Sequence, residues 1–261
     1  MSRLSAEDLA DLAYAKTLLE NPSLIARIAA VLGTPIERLL DRLPQGAGEM
    51  VNLATRKALE TALSVAVYRM EDRARPASNW THKGAVIATG AAGGAFGLAA
   101  LAVELPVSTT IILRSIADVA RSEGEVITSA AGRLACLEVF ALGGGKGSDD
   151  GADSSYFAVR AALAKALAEA AEYIAERGGA EGAPVLVRFI ARIASRFAGP
   201  VSEKVAAQAA PVVGAAGGAI INALFMDHFQ DMARGHFIVR RLERKYGQEV
   251  VKEEYTKLPS R

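Results

Sequence analysis

The densest run of reactive side chains is Asp227-His228-Phe229-Gln230-Asp231-Met232-Ala233-Arg234-Gly235-His236-Phe237. On a helix, Asp227, Asp231 and Arg234 share one face at i, i+4 and i+7, with His228 beside them. Carboxylates and an imidazole held this way are the groups that ligate a divalent metal or pass a proton. One reading therefore makes Asp227, His228 and Asp231 the metal ligands of a hydrolase, with Glu104 as a further carboxylate. The spacing is not that of HExxH or another established zinc pattern. The alternative is an Asp–Arg ladder on a solvated face beside structural histidines. His236 falls among Phe225, Phe229, Met232 and Val239, as expected for a buried, hydrogen-bonded residue.

Glu104-Leu105-Pro106 is the second candidate. Gly90, Gly93, Gly97, Ala100 and Glu104 form one small-residue stripe that ends in a carboxylate. Pro106 is expected to break or kink the helix there and to leave backbone groups free beside the acid. Ser108, Ser115 and Asp118 continue this face if the helix resumes in register. Arg114 lies off it, within reach of Asp118. Other signals are weaker. Gly143-Gly144-Gly145-Lys146-Gly147-Ser148 lacks the order of a phosphate-binding loop, and no strand precedes it. Asp149, Asp150 and Asp153 miss the alternation of a calcium loop. Cys136 reads as a small buried residue rather than a nucleophile. No motif calls for a cofactor.

These residues need helices to position them. Ser5 with Asp8 resembles a capping box that opens a helix running to about Leu19, and Asn21-Pro22 stops it. Leu24, Ile25, Ile28, Val31 and Leu32 form an amphipathic stretch. Thr34-Pro35-Ile36-Glu37 predicts a short helix with Thr34 as cap and Pro35 in its first turn. Further helices are expected over 50–73, 107–121, 128–142, 156–177 and 184–197. No stretch alternates as a strand does, so the predicted fold is all-α: a multi-helix globular array around two central Ala/Gly-rich apolar helices.

Those two helices are uncharged runs, 84–103 and 205–226, which share the hexapeptide Gly-Ala-Ala-Gly-Gly-Ala at 90–95 and 214–219. Glycine costs a helix about 1 kcal/mol relative to alanine, which close backbone packing must offset. Each run is long enough for a bilayer, yet alanine and glycine contribute little insertion energy. Three arrangements stay open: a buried pair, spanning helices, or conditional insertion at a surface. Parallel packing of the pair would bring Glu104 beside Asp227 and His228.

Composition narrows the function classes. With 30 basic and 29 acidic residues there is no global pull towards nucleic acid. The lone Cys136 fits a reducing compartment. The start of the chain turns acidic without an apolar segment, so the cytoplasm is the expected location.

Several segments together resemble the EcsC protein family of bacteria: Asn21-Pro22, Gly33 to Glu37, Glu104-Leu105-Pro106 with Arg114, Ala135 to Gly144, Ser148 to Asp150, Tyr156 to Arg160, Asp227 to Phe237, and Leu242 to Gly247. On that resemblance the chain divides into an N-terminal helix (1–20), an EcsC-like helical domain (21–247) and a C-terminal tail (248–261). The resemblance implies a helical, membrane-associated protein and, from a gene neighbourhood, an ABC-type transporter as possible partner. No HExxH, no GxSxG and no close Cys–His pair supports a peptidase. The expected function is a peripheral, non-enzymatic binding or accessory protein with an apolar groove for a lipid or acyl ligand. Its ligand-binding candidates are Glu104, Arg114, Asp227, His228, Asp231 and His236. The metal-dependent hydrolase and a structural partner of a transporter are the alternatives.

Overall fold

A 33-residue helix, Gly214–Tyr246, is the spine against which most other elements pack. The structure, a computed structural model, describes residues 4–20, 24–69, 101–144, 152–178, 182–209 and 214–259. Among these, every regular element is a helix: α1 (Ala6–Leu19), α2 (Leu24–Leu32), α3 (Ile36–Leu40), α4 (Ala47–Arg69), α5 (Leu101–Ser122), α6 (Ala130–Leu142), α7 (Ala152–Arg177), α8 (Pro184–Gln208), α9 (Gly214–Tyr246) and α10 (Gln248–Lys257). The predicted all-α array is thus the observed one.

Local chemistry explains most boundaries. The Ser5 hydroxyl accepts the amide of Asp8 at 3.2 Å, capping α1 as its sequence predicts. Ser129 caps α6 the same way, accepting from the Gly132 amide at 3.0 Å. Thr34 does not cap α3. Pro35 itself is the cap residue, with ψ 134°, and no side chain bonds the first turn. Pro106 does not break α5, which continues through it. The hydroxyls of Ser108 and Thr110 donate to the carbonyls of Leu105 and Pro106 around the interruption.

The second uncharged run is not one helix. Its residues 205–208 end α8, and 214–226 open α9. Of the first run only 101–103 are described, at the start of α5, so the packing of the two hexapeptides lies outside the described residues. Among the described residues no helix is long and apolar enough to cross a membrane.

The main core joins α2 to α9 around an aromatic centre. Phe140 of α6 lies 4.9 Å from Phe197 of α8 and 5.3 Å from Phe229 of α9, centroid to centroid. Phe225 meets Phe229 edge to face at 5.0 Å. A second core ties α1 and α10 to the far end of α9 through Leu12, Val239, Leu242, Val251 and Tyr255. α1 approaches α9 closely because Gly235 lies beneath it. A Cβ there would fall 2.7 Å from Leu19 Cγ and 3.0 Å from the Ala15 carbonyl oxygen. Gly247, with φ 90°, turns the chain back into α10. Lys16 then donates from Nζ to the carbonyls of Tyr255 (3.2 Å) and Leu258 (2.7 Å). Most of the expected C-terminal tail is therefore a helix anchored on α1.

Candidate functional site

Glu104 sits in the first turn of α5, 7% exposed. Its Oε1 accepts from Lys204 Nζ of α8 at 2.7 Å and from Asn222 Nδ2 of α9 at 3.1 Å. Lys204 is fully enclosed, and its ammonium lies 4.9 Å from the centre of the Phe225 ring. A carboxylate and an ammonium buried together with further partners form a structural node joining three helices. Glu104 meets the second run at Asn222, about a turn and a half before Asp227 on the same helix.

Asp227 and Asp231 stay on one face of α9, as the spacing predicts. Both turn to Arg27 of α2, whose guanidinium nitrogens lie 3.9 Å from Asp227 and 3.4 Å from Asp231. Burial raises the Asp231 carboxyl against the pull of Arg27. His228 points elsewhere. Its Nε2 lies 3.0 Å from the Gly143 carbonyl oxygen, which only accepts, so the proton sits on Nε2. Burial pushes its pKa down to about 4, so the ring is neutral at physiological pH. Asp227, His228 and Asp231 thus do not converge, and among the described residues no three His, Cys, Asp or Glu side chains are placed to hold a metal ion. Arg114 is exposed on α5, while Asp118 pairs with Arg121 one turn on. Ser115 accepts from Gln230 at 2.8 Å. Cys136 is fully buried, and burial pushes its thiol up to about 12. Gly145 to Gly151 lie outside the described residues.

His236 leads to a cluster that spacing alone did not reveal. The ring is fully buried, and Nδ1 lies 3.0 Å from the Tyr156 hydroxyl of α7. Nε2 faces Oε2 of Glu138, from α6, at 3.7 Å. That is too long for a hydrogen bond, and among the described residues Nε2 has no other partner. Burial drives the His236 pKa well down and raises the Glu138 carboxyl to about 7. Arg160 lies 5.4 Å from the Tyr156 ring centre and grips Glu243 with two bonds of 2.7 and 2.8 Å. Arg240 grips Glu125 in the same manner, at 3.0 and 2.8 Å. Glu138, Tyr156, Arg160, His236 and Glu243 come from three helices, α6, α7 and α9, but meet here. All five lie in segments that carry the family resemblance, which was the signal that could have grouped them.

The described residues also form an apolar groove, away from these polar groups. It lies between the second half of α4 and the start of α8 and encloses about 490 Å³. Leu63, Val67, Leu186 and Ile190 line its walls, with Lys57, Glu60 and Ser64 among its polar members. The exposed side chains of Tyr68 and Val187 extend the apolar surface. Volume and lining match sites that take small, largely apolar ligands. None of Glu104, Arg114, Asp227, His228, Asp231 and His236 lines it.

Comparison with known proteins returns one family. The model described as EcsC protein family matches residues 16–242, and the chain belongs to that family. No curated protein and no solved structure matches.

Proposed function

We propose that this EcsC-family chain is a non-enzymatic binding protein that works at a membrane surface and takes a lipid or acyl chain in the α4–α8 groove. The groove carries the reading. Its apolar walls suit a hydrocarbon tail, and Lys57 provides an ammonium for an anionic head. Of the binding residues expected from sequence, Glu104 is paired with Lys204 and His228 with the Gly143 carbonyl.

Surface attachment draws support from one end of the molecule. The Glu104–Lys204–Asn222 contact gathers there the start of α5, the end of α8 and the start of α9. α3 packs on α8 near its end, where Glu203 feels the charge of Glu37, and α4, whose second half faces the start of α8, begins towards that end. Met50, Leu53, Val103, Val107 and Ile220 are exposed in these elements, among the largest exposed apolar side chains of the protein. Scattered exposed apolar residues are ordinary, but several gathered at one end favour contact with a bilayer interface. Flotation of the purified chain with anionic phospholipid vesicles, and native mass spectrometry of the protein as isolated, test the reading. Co-flotation and a co-purifying lipid are expected; a lipid-free protein that stays at the bottom of the gradient overturns it.

A further inference from the structure

The Glu138–His236–Tyr156 line opens on a second cleft. This cleft encloses about 320 Å³ between α7, α9 and α10, with Glu138 of α6 reaching it. We propose that it binds a small organic anion with a short apolar body, which accepts a hydrogen bond from the Glu138 carboxyl and is bound with uptake of one proton.

Three observations converge on this. First, Glu138 is only 3% exposed, yet among the described residues no hydrogen bond reaches its carboxyl. The nearby cations are already committed: Arg160 to Glu243, and Arg240 to Glu125. His236 Nε2 faces it across 3.7 Å, itself buried and without a hydrogen-bond partner among the described residues. A buried acid beside an unsatisfied buried imidazole is a costly arrangement for structure alone. Second, the lining is electrostatically biased. Arg160, Arg240 and Lys252 line it with Glu243 and Glu249, so with Glu138 protonated the lining itself carries one more cation than anion, while Glu125 lies behind Arg240. Third, Phe157, Ala161, Ala164 and Leu167 provide an apolar wall along one side.

The groups around Glu138 decide the direction of the proton. Burial raises its carboxyl to about 7, Arg160 and Arg240 pull it down, and Glu243 pushes it up. Tyr156 and His236 face it as neutral groups, since burial raises the phenol and lowers the imidazole. Glu249 and Lys252 stand in the cleft from α10, and Glu125 lies behind Arg240. Above neutral pH Glu138 is ionised and repels an anion. Binding then draws one proton from solvent onto Glu138, whose O–H donates to the ligand. No covalent bond forms or breaks. His236 and Tyr156 lie behind the acid, bonded to each other rather than to it.

Isothermal titration of the full chain tests this with hexanoate as a planar carboxylate and hexyl sulfate as a tetrahedral head. Runs in buffers of different ionisation enthalpy count the proton. If only the protonated form binds, affinity falls about 30-fold from pH 5.5 to 8.5, with one proton taken up at the upper end. Glu138→Gln keeps a donor but cannot titrate, so its affinity should stay constant within about twofold over that range. Ala161→Trp, placed on the exposed wall, should abolish binding without disturbing the fold, whereas Ser64→Trp in the α4–α8 groove should leave it intact. Hexanoate alone binding assigns a carboxylate site, and hexyl sulfate alone a tetrahedral one. No binding of either anion, a pH dependence that survives Glu138→Gln, or binding that survives Ala161→Trp overturns the proposal.

Discussion

Replacing Glu104 by glutamine removes one charge while nearly preserving volume and the contact to Asn222. The consequence falls on Lys204, which is fully buried, has its ammonium 2.7 Å from the Glu104 carboxylate and lies over the Phe225 ring. Breaking a buried ion pair by removing one partner costs about 3–5 kcal/mol, because the remaining charge is stranded in the interior. The Phe225 face offsets at most about 2 kcal/mol, and that contact already exists in the wild type. We therefore expect Glu104→Gln to lower stability by about 3 kcal/mol and Tm by roughly 6–12 °C for a domain of this size. The double variant Glu104→Leu with Lys204→Met removes both charges and should recover most of that loss, since an apolar pair of similar volume is often as stable as a buried ion pair. Urea unfolding followed by circular dichroism on wild type, Glu104→Gln and the double variant measures it. If Glu104→Gln lies within about 1 kcal/mol of wild type, as for a solvated surface pair, then Glu104 is not the enclosed strut described above.

Three further outcomes follow from burial and packing. His228 titrates near 4 when folded against an ordinary 6.5. The unfolded chain therefore takes the proton first, and about 3 kcal/mol of stability is lost as pH falls from 6.5 to 4; His228→Gln should shrink that acid loss in unfolding midpoints measured across the range. Glu138 works in the opposite sense, with its folded value raised from 4.5 to about 7. Its contribution is complete below 4.5 and is lost as pH rises to 7, so Glu138→Gln should be more stable than wild type at pH 8, by up to about 3 kcal/mol, in the same assay. Gly235→Ala places a methyl group against Leu19 and the Ala15 carbonyl, and should cost about 1–3 kcal/mol while loosening amide-exchange protection in α1 first.

Much of this fold is legible in the sequence because helix signals are local. Ser5 with Asp8, the period of the apolar residues from 24 to 32 and the long face from Asp227 onward each act within a few residues, and each appears as expected. The misreadings arise where a neighbour outweighs a local signal. Pro106 removes one amide from α5, but Leu105, Ile112 and Ile116 bury enough apolar surface to carry the helix through. An uncharged run looks like one element, yet its middle lies between the end of α8 and the start of α9. The polar groups were harder to assign. That Asp227 and Asp231 share a face follows from spacing, but their partner Arg27 lies two hundred positions away and no period points to it. The same holds for Lys204, the partner that makes Glu104 structural, and for Glu138, the group that His236 faces. Tertiary pairing decides whether a carboxylate is a strut or a site, and a single sequence holds no record of it. The α4–α8 groove was equally hidden, because its walls come from two unremarkable amphipathic helices.

The claim that matters most for function is that this groove holds a hydrocarbon chain. Native mass spectrometry of the full protein titrated with dodecanoate, beside a Ser64→Trp variant whose indole fills the groove, tests it most directly. One dodecanoate per wild-type chain is expected, lost in Ser64→Trp with helical content unchanged. A wild-type protein that takes up no dodecanoate, or a variant that binds it equally well, would contradict it.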